Sequence, residues 1–366
     1  MTDSIVAMPP REALGSASAW GPEAAADTCA ERGTIQRLLR VDPEVREPDP
    51  DATLLLSLAS VWMYSDTDTL ERAMSVYGAW DLTRLKVENN ALFLAHDVCF
   101  IQSKCRRLLI LCFKGTEPGN LFNWLTDASV ASQRFYALGR VHGGFARNVD
   151  VLWSIIDRCL ETALRGRNIQ EVFPSPEACP RPDAGSAPEA EPAPDAPGKL
   201  EAIYITGHSL GAAMAVLAAA RLFSNTRYAE IRRLIRGVYT FGQPMVGDAT
   251  FAARAEELFG GKLFRFVYGN DIVPRLPPRT TGAFVHFGRE YRSTGEGWTY
   301  ESKIARQTRT FLVSSAVGVF AWIKQQLPLL RALPLPFSWG DHSPANYVEA
   351  SQQSTSEPAI FRLRVD

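Results

Sequence analysis

The chain predicts an α/β fold with a mostly parallel central sheet and helices on both faces. Two observations carry this: strand-like and helix-like runs alternate along the chain, and hydrophobic residues make up 46% of it, enough to fill a sizeable core. Thr53–Tyr64 and Thr69–Ala79 have apolar residues at helical spacing, Ala91–Ala95 and Arg107–Lys114 read as strands, and Ala146–Leu164 is amphipathic. A strand at 202–206, a helix at 210–223, a strand at 238–241, a helix at 248–259 and a strand at 262–267 follow. Helices interleaved with strands in this way cross over a parallel sheet and cover both its faces.

The most informative element is Tyr204-Ile205-Thr206-Gly207-His208-Ser209-Leu210-Gly211-Ala212-Ala213. Apolar β-branched residues lead into a sharp Gly-His-Ser-Leu-Gly turn, and an alanine-rich helical run follows. This is the strand, turn and helix of a nucleophile elbow. A Cβ at Gly207 or Gly211 would crowd the neighbouring strand or helix. The turn sets the Ser209 hydroxyl at the start of a helix, where the dipole and free N–H groups favour developing negative charge.

A serine hydroxyl needs an imidazole to take its proton, and a third group to orient that imidazole. Behind such an elbow the order along the chain is serine, then acid, then histidine. Of five histidines, only His286 and His342 follow Ser209 with an acid between. Phe264–Pro274 reads as a strand ending in a turn that carries Asp271, at the sheet edge where open α/β folds keep their sites. An Asx turn is the alternative reading of that aspartate. His286 lies in the alternating, apolar run Ala283–Phe287, the setting of a packed or edge residue. His342 lies in a polar turn, Trp339–Pro344, the setting in which catalytic groups concentrate, and is the expected base. Leu210, directly after the nucleophile, is expected to turn its backbone N–H toward an oxyanion.

Several ordered motifs resemble one known family, the class 3 or fungal-lipase-like triacylglycerol lipases of the α/β-hydrolase superfamily. They are Phe113-Lys114-Gly115-Thr116, Asn123-Trp124-Leu125-Thr126-Asp127, Val141-His142-Gly143-Gly144-Phe145 and the elbow. Phe241–Asp248, Gly269–Pro277 and Asp341–Tyr347 complete the set, and the likeness covers roughly Leu54 to Val348. The resemblance implies Ser209 as nucleophile, Asp271 as acid and His342 as base. It also implies a second oxyanion N–H from Thr116, just past the early strand, where the other reading is an ordinary Gly-Thr turn.

After Thr116, Leu121, Leu125 and Ala128 share one helical face with Trp124 beside it. By position this stretch, Leu121, Phe122, Trp124 and Leu125 included, resembles the hinged lid of class 3 lipases; a fixed core helix is the other reading. Phe311–Phe337 lies between acid and base, within a 302–340 insert that has five basic and no acidic residues. It is too broken to span a membrane, and it reads equally as a segment lying in a membrane interface or as a packed internal helix.

The implied activity is carboxylic-ester hydrolysis of acylglycerols through an acyl-enzyme. Two alternatives stand beside it: a phospholipase A1 or soluble short-chain esterase, and a catalytically silent lipid-binding or interaction protein on the same scaffold. The expected partners are a lipid-ester substrate and a lipid or membrane interface. A net charge of −1 excludes global attraction to nucleic acid. No histidine pair has metal-ligand spacing, and no phosphate-binding glycine loop is present, so no metal or cofactor is expected.

One catalytic domain is expected over 51–350, between a flexible tail at 1–50 and another at 351–366. Phe173–Lys199 holds eight of the 24 prolines and reads as a disordered loop. No apolar signal-peptide core follows Met1, and six scattered cysteines read as free thiols. Both features suggest a cytoplasmic or peripherally membrane-associated protein.

Overall fold

The computed structural model describes residues 33–44, 46–89, 94–115, 132–173, 198–277, 284–301 and 340–355. Thr116, the lid residues Leu121, Phe122, Trp124 and Leu125, and almost all of the 173–199 loop and the 302–340 insert lie outside them. The elements run in the order α1 (Gly33–Arg40), α2 (Pro50–Trp62), α3 (Thr67–Ser75), β1 (Trp80–Asn89), β2 (Leu94–Ser103) and β3 (Leu108–Phe113). Next are β4 (Ser132–Phe135), β5 (Gly139–His142), α4 (Gly143–Leu164), α5 (Ile169–Val172), β6 (Ala202–His208) and α6 (Leu210–Ser224). Then come α7 (Ala229–Leu234), β7 (Ile235–Phe241), β8 (Gly247–Asp248), α8 (Ala249–Phe259) and β9 (Leu263–Tyr268). The chain continues through β10 (Phe284–Val285), β11 (Arg289–Ser293), β12 (Thr299–Glu301) and α9 (Pro344–Gln353).

The main sheet has eight strands in the order β1-β2-β3-β6-β7-β9-β11-β12. The central strands β3, β6, β7, β9 and β11 are mutually parallel, and antiparallel β1, β2 and β12 extend the two edges. A parallel strand buried on both faces needs an unbroken apolar run, which β3 and β6 supply with every residue buried. The two core clusters lie on opposite faces. One gathers α2 and Tyr347 of α9 against Tyr204, Tyr239, Phe264 and Phe266; the other gathers α4, α6 and α8 against Ile203, Ile205 and Val238. The mostly parallel sheet with helices on both faces is therefore as expected.

Three local features differ from expectation. The N-terminal tail expected over 1–50 gives way at Gly33, where α1 buries Ile35, Leu38 and Leu39. Asp49 then caps α2, accepting from the Ala52 N–H over 2.8 Å with Pro50 at the first helical position. A second sheet, ordered β10-β8-β5-β4, is built from strands of two to four residues, too short for their alternation to show. Finally, Cys105, in the β2–β3 turn, is disulfide-bonded, whereas Cys99, Cys112 and Cys159 are free and buried. The chain does not carry six free thiols, because pairing follows proximity in space and scattered spacing cannot reveal it. Cysteine usage therefore gives no support to a reducing compartment. No helix among the described residues is long and apolar enough to cross a membrane.

Candidate active site

The site forms at the carboxyl edge of the parallel strands. Strand β6 ends in Ser209, whose φ of 61° and ψ of −126° put an ordinary side chain in a sparsely populated region. Such a conformation costs on the order of 1–3 kcal/mol and persists only where the surroundings enforce it. Here they do. The Ser209 N–H donates to the Phe241 carbonyl over 2.9 Å, and α6 starts at once with Leu210. A Cβ on Gly207 would fall 2.5 Å from the Gly211 carbonyl, and one on Gly211 would run into the Phe113 carbonyl. The elbow is as tight as its sequence requires.

Asp271 stands in the turn after β9, its N–H donating to the Tyr268 carbonyl over 3.0 Å. Its Oδ1 accepts from the Val273 N–H over 2.8 Å. Its Oδ2 accepts from His342 Nδ1 over 2.7 Å, and from the Tyr347 hydroxyl over 2.5 Å. Facing the carboxylate, Nδ1 carries the proton, so His342 Nε2 is an acceptor. The Ser209 hydroxyl lies 2.9 Å from that nitrogen. Ser209, Asp271 and His342 each have 0% of their surface exposed. The structure thus brings together three residues that lie far apart in the chain, in the serine–imidazole–carboxylate order.

His286 lies elsewhere. Its Nε2 donates to the Pro274 carbonyl over 2.5 Å, which ties β10 to the loop following Asp271. His142 precedes α4 and stacks on Phe145 with ring centroids 4.4 Å apart; burial pushes its basicity down to about 4. Gly242 has a φ of +59°, and a Cβ there would sit 2.8 Å from His342 Cε1 and 3.0 Å from Asp271 Oδ2. Only glycine leaves room for the imidazole.

Two tyrosines, Tyr347 and Tyr64, also border the site. Tyr347 fixes the acid; burial, then the Asp271 charge, hold its hydroxyl well above the usual range, so it remains a donor. It closes the last motif quoted above, which is the signal that could have found it. Tyr64 follows the end of α2 and contacts His208; an apolar helix end offers no such signal. Toward an oxyanion, Leu210 lies in the first turn of α6, where amide groups point along the axis unpaired by the helix itself. A Cβ on Gly115 would lie 2.5 Å from the His208 carbonyl and 3.2 Å from Ser209 Cβ, so the end of β3 passes against the elbow.

A mostly parallel α/β sheet with a serine on such an elbow, and with acid and histidine following in that order, is the arrangement of the α/β-hydrolase fold. Residues 196–281 match the family model described as Lipase (class 3). Triacylglycerol lipase OBL1 of Ricinus communis is 25% identical over 336 residues, covering 84% of this chain and 60% of that protein. Triacylglycerol lipase OBL1 of Arabidopsis thaliana is 27% identical over 255 residues, covering 64% of this chain and 47% of that protein. A secreted mono- and diacylglycerol lipase, LIP4 of Malassezia restricta, is 46% identical over a shorter stretch, 22% of this chain and 25% of its own length. Among solved structures, lipase II from Rhizopus niveus is similar in fold, with a TM-score of 0.50 and 20% identity over 69% of this chain and 86% of that one. The chain spans about half the length of the plant relatives it matches. The likeness to class 3 lipases thus rests on the match over residues 196–281 and on relatives 25–27% identical over longer stretches.

Proposed function

We propose that the protein is a serine carboxylic-ester hydrolase acting on acylglycerols through an acyl-enzyme. The observation that carries this reading is the buried chain of hydrogen bonds from Ser209 through His342 to Asp271, at 2.9 and 2.7 Å. His342 Nε2 takes the Ser209 proton as Oγ attacks the ester carbonyl carbon. Negative charge develops on the carbonyl oxygen, and the N–H groups of Leu210 and Thr116 receive it. The imidazolium, oriented by Asp271, protonates the leaving glyceride alcohol as the ester C–O bond breaks. Water then gives its proton to His342 and adds to the acyl-enzyme. Collapse releases the fatty acid and returns the proton to Ser209. The plant relatives named triacylglycerol lipases support acylglycerol as the substrate class.

The test is direct. A fluorophosphonate should label Ser209, and the protein should release fatty acid from emulsified triacylglycerol. No labelling of the folded protein sinks the chemistry. Labelling with release only from phospholipid sn-1 esters or dissolved short-chain esters moves the reaction to another substrate. A silent lipid-binding scaffold is disfavoured by the intact Ser209, His342 and Asp271.

A nucleophile with no exposed surface fits a site that must be uncovered before substrate enters. We assign that cover to a lid built on Leu121, Phe122, Trp124 and Leu125, directly after the oxyanion segment in the chain. Its apolar face would move from protein to lipid, which makes a lipid surface the working partner. Trp124→Ser should then weaken hydrolysis of emulsified long-chain glycerides more than that of a dissolved short-chain ester. The expected difference is about 1.5–3 kcal/mol, the scale of one large apolar side chain. Equal loss on both substrates by a well-folded variant would make the stretch fixed structure.

A further inference from the structure

A second imidazole lies beside the nucleophile and takes no part in the three-residue chain. His208 is buried, and its ring lies over that of His342 with centroids 4.5 Å apart and planes inclined at 32°. His208 Nε2 stands 3.1 Å from the His342 carbonyl oxygen, which can only accept, so Nε2 carries the proton. Nδ1 is then an acceptor, and the Tyr64 hydroxyl donates to it over 3.0 Å. Arg84 holds Tyr64 from both sides, donating to the carbonyls of Met63 at 2.8 Å and Ser65 at 2.5 Å. Arg84 is itself buried against Asp97 at 2.8 Å. Burial, then the proximity of His342, keep His208 neutral, far below the usual histidine range. One neutral tautomer satisfies both of its partners.

His342 needs such a hold. It reaches the site on a turn of only three residues, Gly340–His342, and Asp271 grips the ring at one nitrogen. A ring fixed at a single atom can still swing about it, carrying Nε2 away from Ser209. The His208 bond fixes the other end of the same residue, its main chain. The seam it closes lies between α2, which Tyr64 follows, and α9, which begins just after His342 and packs on α2.

We propose that His208 is a positioning residue for the base: its Nε2–H anchors the His342 main chain so that the imidazole faces Ser209, and Tyr64 sets the tautomer that makes this possible. The proposal rests on the hydrolase reading above. It is tested with His208→Leu, His208→Gln, Tyr64→Phe and Ser209→Ala in the full chain. Turnover of p-nitrophenyl butyrate, the rate of fluorophosphonate labelling and the melting temperature are read for each.

Misplacing a base by about 1 Å costs roughly a hundredfold, so His208→Leu should lower kcat on that scale with KM nearly unchanged. His208→Gln keeps an amide N–H able to reach the same carbonyl, and should recover roughly tenfold or more of that loss. Tyr64→Phe, which removes one hydrogen bond, should lower kcat about five- to tenfold. Labelling rates should fall in parallel. His208→Leu with wild-type kcat overturns the proposal, as does a stable His208→Gln no better than His208→Leu. If His208→Leu does not fold, Tyr64→Phe decides, and wild-type turnover in that variant overturns the proposal. Turnover retained by Ser209→Ala would overturn the hydrolase reading, and the role of His208 with it.

Discussion

Asp271 and Glu290 are both buried carboxylates, each gripped by a basic side chain at hydrogen-bond distance, yet they sit in different parts of the sheet with different partners. Glu290 lies within β11, directly across from Arg265 of β9, and the two meet at 2.9 Å. Burial works against its charge, but Arg265, with Glu301, His286 and Arg292 around it, outweighs burial and holds the carboxyl down to about 2. Asp271 lies just past the carboxyl end of β9 and meets an imidazole at 2.7 Å. A guanidinium keeps its proton in any protein environment, so the Arg265–Glu290 pair can only hold structure. An imidazole exchanges its proton near neutral pH, and its second nitrogen faces a hydroxyl. Inside the ladder, strand register fixes what a charge can meet; one turn beyond the ladder, a loop can aim it. Partner and position together separate a structural ion pair from a candidate catalytic one.

The largest expected effect falls on the imidazole side of this contrast. Ser209→Ala and His342→Ala should each lower turnover by roughly four to six orders of magnitude while the melting temperature barely moves. The double variant should be little worse than either, because the residues act as a unit. Additive losses would break the comparison at its root.

On the guanidinium side the pattern should invert. Arg265→Met takes the nearest guanidinium from a buried carboxylate and should cost about 3–5 kcal/mol of stability, read by denaturant unfolding, with turnover per folded molecule retained. Because the folded-state pKa of Glu290 lies below its usual 4.5, its stabilisation is complete above pH 4.5 and is lost as pH falls toward about 2. The stability difference between the wild type and Glu290→Gln should therefore shrink across that window. A constant difference would mean that the pair contributes packing rather than charge.

Tyr347→Phe sharpens the comparison. It removes one of the two donors on Asp271 Oδ2 and leaves the ring stacked with Trp298, their centroids 6.0 Å apart. A loss of about 1 kcal/mol, roughly fivefold in kcat/KM, is expected. An unchanged kcat/KM would leave Tyr347 with packing alone.

The smallest effect is expected at the other histidine. His286→Ala should keep most of the activity, although it removes the bond to the Pro274 carbonyl. A dead His286→Ala beside an active His342→Ala would reverse the assignment of the base.

Much of the fold could be read from local pattern, and the reason is visible in its strands. β3 and β6 are buried on both faces, so their apolar runs are continuous and unmistakable. β1 was missed because its apolar residues change face midway: Trp80 and Leu82 join one core cluster, while Leu85 and Val87 pack on the other. Arg84 then takes an inward position, paired with Asp97. That leaves no period of two to see. At the site, Ser209, Asp271 and His342 stand in turns whose glycines, prolines and polar residues mark sharp changes of direction. The parts of the site that resisted reading are contacts between distant segments, such as Tyr64 with His208, which no local pattern encodes.

The spacing of the site along the chain has a consequence for its birth. Ser209 is joined by hydrogen bonds to a histidine 133 positions later, which is joined in turn to an aspartate 71 positions before it. As the chain leaves the ribosome, the elbow can form on strands already made, but on the proposed assignment the hydroxyl has no base until His342 emerges and α9 docks. On the proposed function, a nascent chain that has not yet reached His342 is inert toward lipid esters. On that reading, activity reports that α9 has docked and carried His342 to the elbow.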